Sequence, residues 1–202
     1  MKRLTVLCIF LLIFCGCKKQ NGEAKKELLV MTSFYPVYII TINITKDVPG
    51  IKVLNLTNPQ IGCIHNYSLT VDDMKDLSRT NIFIINGAGM EIFLDRIIRE
   101  RSDLNIIDSS KGIELIEENY NGKKEYNSHI WVSVLNSIKQ VENIQKGLSE
   151  YDPAHKGYYK KNADIYIEKL HKLKSEMEEG MKDLKNRNIV TFHRAFDYFA
   201  KE

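Results

Sequence analysis

Residues 82–108 read IFIINGAGMEIFLDRIIRERSDLNIID. Two short apolar, β-branched runs, at 82–86 and 104–108, bracket a stretch whose apolar residues recur at helical spacing, with Ile92, Phe93 and Ile97 toward one side. A strand, a helix and a second strand in this span make the repeating unit of a parallel sheet, because parallel neighbours need a long crossover between them. The same unit occurs upstream. LLVM at 28–31 and IKVLNL at 51–56 read as buried strands. FYPVYIITINITK between them reads as a helix with Pro36 in its first turn. TVDDMKDLSRT at 70–80 begins with Thr70 as N-cap and Asp73 three residues on, a capping-box pattern. The fold class expected is α/β: a parallel-sheet N-terminal lobe with flanking helices on both faces.

Beyond residue 110 the pattern changes. Leu135, Ile138, Val141, Ile144 and Leu148 mark a helix near 135–149. Asp152 and Pro153 read as an N-cap and first-turn proline for a further helix reaching to about Lys185. Its apolar stripe is Tyr166, Leu170, Leu173, Met177, Met181 and Leu184. At 1.5 Å per residue such a helix runs on the order of 50 Å, the length of an element that bridges two bodies. NIVTFHRAFDYFAKE at 188–202 then reads as a new strand and the first turns of a new helix. The NGAGME loop at 86–91 lacks the last glycine of a dinucleotide-binding loop, since Ile92 stands there.

The chain has 202 residues, 44% hydrophobic and 27% charged, a globular composition. Its first segment, MKRLTVLCIFLLIFCGC, has a basic end and an apolar middle too short to span a bilayer. Gly16 before Cys17 resembles a bacterial lipobox, with Cys17 as the lipidated residue. Cleavage before Cys17 removes Lys2 and Arg3 and lowers the formal charge from +3 to +1. A nearly neutral chain argues against a nucleic-acid partner. Cys8 and Cys15 leave with the signal and Cys17 carries lipid, so Cys63 has no intramolecular disulfide partner. The polar KKQNGEAKKE at 18–27 reads as a tether at a membrane surface. The organisation expected is a lipoprotein signal at 1–16, a tether at 17–27, an N-terminal lobe at 28–150, a long linking helix at 151–187, and the start of a second lobe at 188–202.

Of five histidines, His155 and His171 lie in polar helical surroundings and read as surface residues. His65 sits in a loop after the second strand, His129 at the entry to an apolar segment, and His193 at a strand-to-helix turn. These are positions where a parallel-sheet protein carries functional side chains. Three imidazoles suit zinc and neighbouring transition metals and leave a fourth coordination position open. Each alone is more often a capping or structural residue than a ligand. Their separation of 64 residues per step is far beyond zinc-finger spacing, so only the fold can join them.

VMTSFYPVY, GCIHNYSLTVDDMKDL, FIINGAGMEIFLD, HIWVS, DPAHKGYYKKNADIY and IVTFHRAFDYFA stand in the order found in the metal-binding lipoproteins of bacterial zinc and manganese ABC importers. From about residue 28 onward the chain resembles that family. The resemblance implies two α/β lobes joined by one rigid helix, with metal held between them. It implies His65 and His129 as ligands from the first lobe and His193 from the second. A histidine rather than a carboxylate at the third position favours Zn²⁺ over Mn²⁺. It further implies an ABC importer permease as partner, a lipid anchor at Cys17 on the extracytoplasmic face of the cell membrane, and a monomer. Cys63 and Ile64 stand where many members carry Glu-Pro, and Cys63 reads as a packed residue rather than a thiolate ligand. The EENYNGKKEYNS loop at 117–128 lacks the histidines that zinc-type members often carry there. The family continues through most of a second lobe, including a carboxylate ligand, and on that pattern this chain reads as truncated, with a weakened site.

Two other readings compete. A zinc hydrolase uses the same three-histidine arrangement with bound water. It also needs a positioned acid or base, and Asn66, Ser128 and Arg194 beside the ligands supply none, leaving Asp197 as the nearby candidate. A surface adhesin would keep the first lobe's fold without needing metal. The expectation is a non-enzymatic receptor.

Overall fold

A computed structural model describes residues 27–57, 64, 67–120 and 122–202. The four apolar runs form four parallel strands, β1 (Leu28–Thr32), β2 (Ile51–Asn55), β3 (Ile82–Ile85) and β4 (Asn105–Asp108), ordered β2-β1-β3-β4. β3 lies inside the sheet and all four of its residues are buried, as an unbroken Ile-Phe-Ile-Ile run requires. The crossovers are α1 (Tyr35–Ile44), α2 (Val71–Arg79) and α3 (Leu94–Glu100). With right-handed crossovers, the step from β1 to β2 and the steps from β2 to β3 and β3 to β4 run in opposite directions. That places α1 on one face and α2 and α3 on the other. The expected α/β class is observed.

Local chemistry starts each helix. Pro36 opens α1, where a missing N–H costs nothing. In α2 the Thr70 hydroxyl accepts from Asp73 N while the Asp73 carboxylate accepts from Thr70 N, a complete capping box. α3 begins later than its apolar spacing suggests. Ile92 precedes it and is exposed, whereas Phe93 and Ile97 enter the core.

α4 (Val134–Tyr151) and α5 (Lys156–Met181) join α1 on its face. α4 buries Val141, Ile144 and Leu148, and Gly147 lets it approach β4, where a Cβ would meet Ile107 at 2.8 Å. α5 has 26 residues, so it extends about 39 Å. It is shorter than the sequence suggested because residues 153–155 form a 3₁₀ turn and the helix stops at Met181. Asp152 does not cap it through its side chain. Its carboxylate instead accepts from Tyr159 Oη at 2.7 Å and pairs with His155 Nδ1 at 2.6 Å. His155 is therefore partly buried in a polar cluster rather than a surface residue, while His171 is exposed as expected.

Two further differences concern the regions around the histidines. Residues 117–128 hold an antiparallel hairpin, β5 (Glu117–Tyr120) and β6 (Lys123–Tyr126), turning through Gly122 at φ 77°. Residues 188–191 form no strand. No described strand lies beside them to pair with their backbone groups, and Val190 and Phe192 are fully exposed. A short helix, α6 (Asp197–Lys201), follows and docks on the 3₁₀ turn at 130–132. Among the described residues no helix is long and apolar enough to cross a membrane.

Candidate metal centre

β1 and β3 are neighbours whose crossovers leave in opposite directions, so a crevice opens at their carboxyl ends. A buried polar layer fills its floor. Asn86, just past β3, donates through Nδ2 to Ser128 O at 2.9 Å and accepts at Oδ1 from Gln140 Nε2 at 3.1 Å. Its own carbonyl accepts from Ser109 Oγ at 3.0 Å. The Glu91 carboxylate accepts from Asn86 N at 2.8 Å and Gly87 N at 3.1 Å. Burial pushes the Glu91 carboxyl up to about 6. Gly87 has φ +79°, and a Cβ there would lie 2.0 Å from Asp108 Oδ1, so both the conformation and the space demand glycine. The incomplete glycine loop thus has a structural role: it turns the chain tightly under the loop at 127–129.

That loop carries His129, which is 4% exposed. Asn127 Oδ1 accepts from His129 N at 3.0 Å and lies 2.8 Å from His129 Nδ1. A backbone N–H only donates, so it fixes which end of the amide faces the histidine. The amide oxygen only accepts, so His129 Nδ1 bears the ring proton. Nε2 is left with its lone pair, the state a metal ligand needs. The ring lies 5.2 Å from Trp131, the single tryptophan of the chain.

His193, 64 residues away in sequence, places its Nε2 2.8 Å from His129 Nε2, with ring centroids 4.6 Å apart and planes at 82°. Since His129 Nε2 accepts, the bond runs from His193 Nε2–H. Two nitrogens on one tetrahedral zinc, each about 2.0–2.1 Å from it, sit roughly 3.3 Å apart. Zinc between the rings therefore requires a separation of about half an ångström and loss of the intervening proton. His193 is exposed, so the pair joins a buried arm to a solvent-facing one.

The structure thus brings together two of the three histidines singled out in the sequence. His65, Cys63 and Cys17 lie outside the described residues. Among the described residues no group of three His, Cys, Asp or Glu converges on one point. Asp197, the acid considered for hydrolysis, is engaged by Arg194 at 2.9 Å and Asn127 Nδ2 at 3.3 Å. Sequence reasoning missed Asn86, Glu91 and Asn127. Only Asn127 left a signal, as a polar residue two positions before a candidate ligand.

A family model described as ZnuA, zinc-uptake complex component A periplasmic, matches residues 30–202. The high-affinity zinc uptake system protein ZnuA of Bacillus subtilis is 29% identical over 215 residues, covering 96% of this chain and 65% of that protein. The manganese ABC transporter substrate-binding lipoprotein PsaA of Streptococcus anginosus is 29% identical over 217 residues, covering 100% of this chain and 69% of that one. The crystal structure of Zn(II)-bound AdcA from Streptococcus pneumoniae superposes with TM-score 0.77 at 29% identity, over 86% of this chain and 37% of AdcA. The chain thus spans under two thirds of the Bacillus protein and of AdcA, and just over two thirds of PsaA.

Proposed function

The chain belongs to the ZnuA family, and on that premise we propose that it is a metal receptor of an ABC importer, lipid-anchored at Cys17 on the extracytoplasmic face of the membrane. It captures Zn²⁺ with His65, His129 and His193 and passes it, chemically unchanged, to a membrane permease. The observation that carries this reading is the approach of His129 and His193 to 2.8 Å. Two imidazoles from distant parts of a chain meet through their Nε2 atoms, one of them unprotonated there by the hydrogen bond at its other nitrogen. Membership of an uptake family and the engagement of Asp197 by Arg194 and Asn127 both favour capture without turnover.

Zinc is preferred over manganese on donor chemistry. Imidazole nitrogen suits zinc, whereas manganese is better served by carboxylate and water. Overall similarity does not decide the metal, because relatives named for zinc and for manganese are both 29% identical. A second lobe is proposed to begin at residue 188.

Calorimetric titration of the purified protein with Zn²⁺ and Mn²⁺ tests the reading, with His65→Ala, His129→Ala and His193→Ala alongside. Outer partners of metal ligands alone are worth roughly 10–100-fold in affinity. Loss of a ligand is expected to exceed this for each histidine. Zinc affinity unchanged by His129→Ala and His193→Ala would refute the site, and tighter Mn²⁺ than Zn²⁺ binding would refute the metal.

A further inference from the structure

Asn127 does more than hold a ring. Its Oδ1 faces His129, while its Nδ2 donates to Arg194 O at 2.7 Å and to Asp197 Oδ2 at 3.3 Å. Its carbonyl accepts from Tyr198 Oη at 2.6 Å, and that hydroxyl in turn accepts from Ile116 N at 3.0 Å. Asn127 is 3% exposed, so these groups are satisfied by protein or pay the full cost of desolvation. One side chain therefore joins the buried imidazole to the segment immediately after His193.

The residue type matters. An aspartate at 127 would still accept from His129 N and Nδ1. Its second oxygen would then face a main-chain carbonyl and the Asp197 carboxylate, with no proton to share. Only an amide offers an acceptor to one side and a donor to the other.

Resting on the metal-capture reading above, we infer that Asn127 is a positioning residue that couples the orientation of His129 to the docking of residues 194–201, so that metal binding and seating of the His193 segment reinforce each other. The amide is the required form because Asp197 stands opposite. Whatever unseats the segment also withdraws His193 from His129. Conversely, a metal bridging the two rings holds the segment down, since the coupling acts equally in both directions.

The test uses Asn127→Asp, which keeps an acceptor for His129 and replaces the donor to the segment by a charged oxygen facing Asp197. Two quantities are measured: Zn²⁺ affinity, and amide hydrogen exchange of residues 194–201 in metal-free protein. Asn127→Asp is expected to weaken zinc at least tenfold and to speed exchange of that segment at least tenfold, with exchange of β3 unchanged. Adding Asp197→Asn restores an amide opposite the new carboxylate and is expected to recover at least threefold of each loss. Exchange and affinity both at wild-type values in Asn127→Asp would overturn the coupling, as would failure of Asp197→Asn to recover either. Tyr198→Phe approaches the same contact from the segment side and serves if Asn127→Asp does not fold. It is expected to lower affinity and protection together, and a loss of one without the other overturns the inference. If wild-type protein binds no zinc yet Asn127→Asp still exposes residues 194–201, the metal reading fails while the docking role of Asn127 stands.

Discussion

Replacing Glu91 with glutamine should change how stability depends on pH. Glu91 lies at the floor of the site, 5% exposed, with its two oxygens on the N–H groups of Asn86 and Gly87. Burial raises its carboxyl from 4.5 to about 6, so the backbone N–H bonds offset desolvation only in part. The folded state holds a proton here that the unfolded state has released between these values. This group's contribution is fully present below about pH 4.5 and is lost as pH rises through about 6. A shift of this size corresponds to about 2 kcal/mol. Urea unfolding of wild type and Glu91→Gln, followed by Trp131 fluorescence from pH 4 to 8, isolates the effect. Carboxylates common to both proteins cancel in the difference. Glutamine also sets an amide NH₂ against a backbone N–H, a cost independent of pH. The stability of wild type relative to the variant should therefore fall by about 2 kcal/mol between pH 4 and 8, about 1 M in urea midpoint. A difference constant across that range, whatever its size, would refute the reasoning.

Gly87→Ala should destabilise by about 2–4 kcal/mol, combining a left-handed alanine with displacement of an Asp108 carboxylate that accepts from Ser110 N and Oγ; thermal unfolding checks this, and an unchanged midpoint would contradict it. Thr70→Ala removes one half of the α2 capping box and should cost about 1 kcal/mol in urea unfolding; a loss within error would mean Asp73 alone sustains the helix start. Nitrogen-15 spectra of metal-free protein should find His129 protonated at Nδ1, and a proton on Nε2 instead would contradict the tautomer that Asn127 imposes.

The sheet was legible because its determinants are local. Val30, Phe83 and Ile84 sit in short apolar runs, and such runs separated by helical spacing leave few arrangements other than a parallel sheet. The Thr70 cap was legible for the same reason. The hairpin at 117–126 reads as a loop in the sequence: Asn121-Gly122 is a turn signal, but the strands Glu-Glu-Asn-Tyr and Lys-Lys-Glu-Tyr lack the alternation that marks a buried face. The apolar run at 188–192 misled because composition reports affinity for a sheet and not the presence of a neighbour to pair with. Two of the three histidines converge as the matching positions suggested, while His65 lies outside the described residues. The polar layer was not legible: Asn86 and Gln140 are 54 residues apart and meet only once the sheet exists.

That layer explains why the burial of so many polar groups is tolerated. Asn86 grips the loop through Ser128 O, one residue before His129, and Asn127 grips the ring itself from the other side. Two amides thereby fix the backbone, tautomer and orientation of one imidazole before any metal arrives. Ordering a flexible side chain on binding costs about 0.5–1.5 kcal/mol, so preparing the proposed ligand in advance is worth up to about tenfold in affinity at that residue. His193 stands differently: it is exposed and precedes a short docked helix, on a stretch with no sheet beside it among the described residues. One arm of the pair is set by folding, and the position of the other depends on how the segment around it is seated. The metal receptor proposed above is better served by that division than by two equally fixed ligands, because movement of the outer arm alone is enough to open the pair.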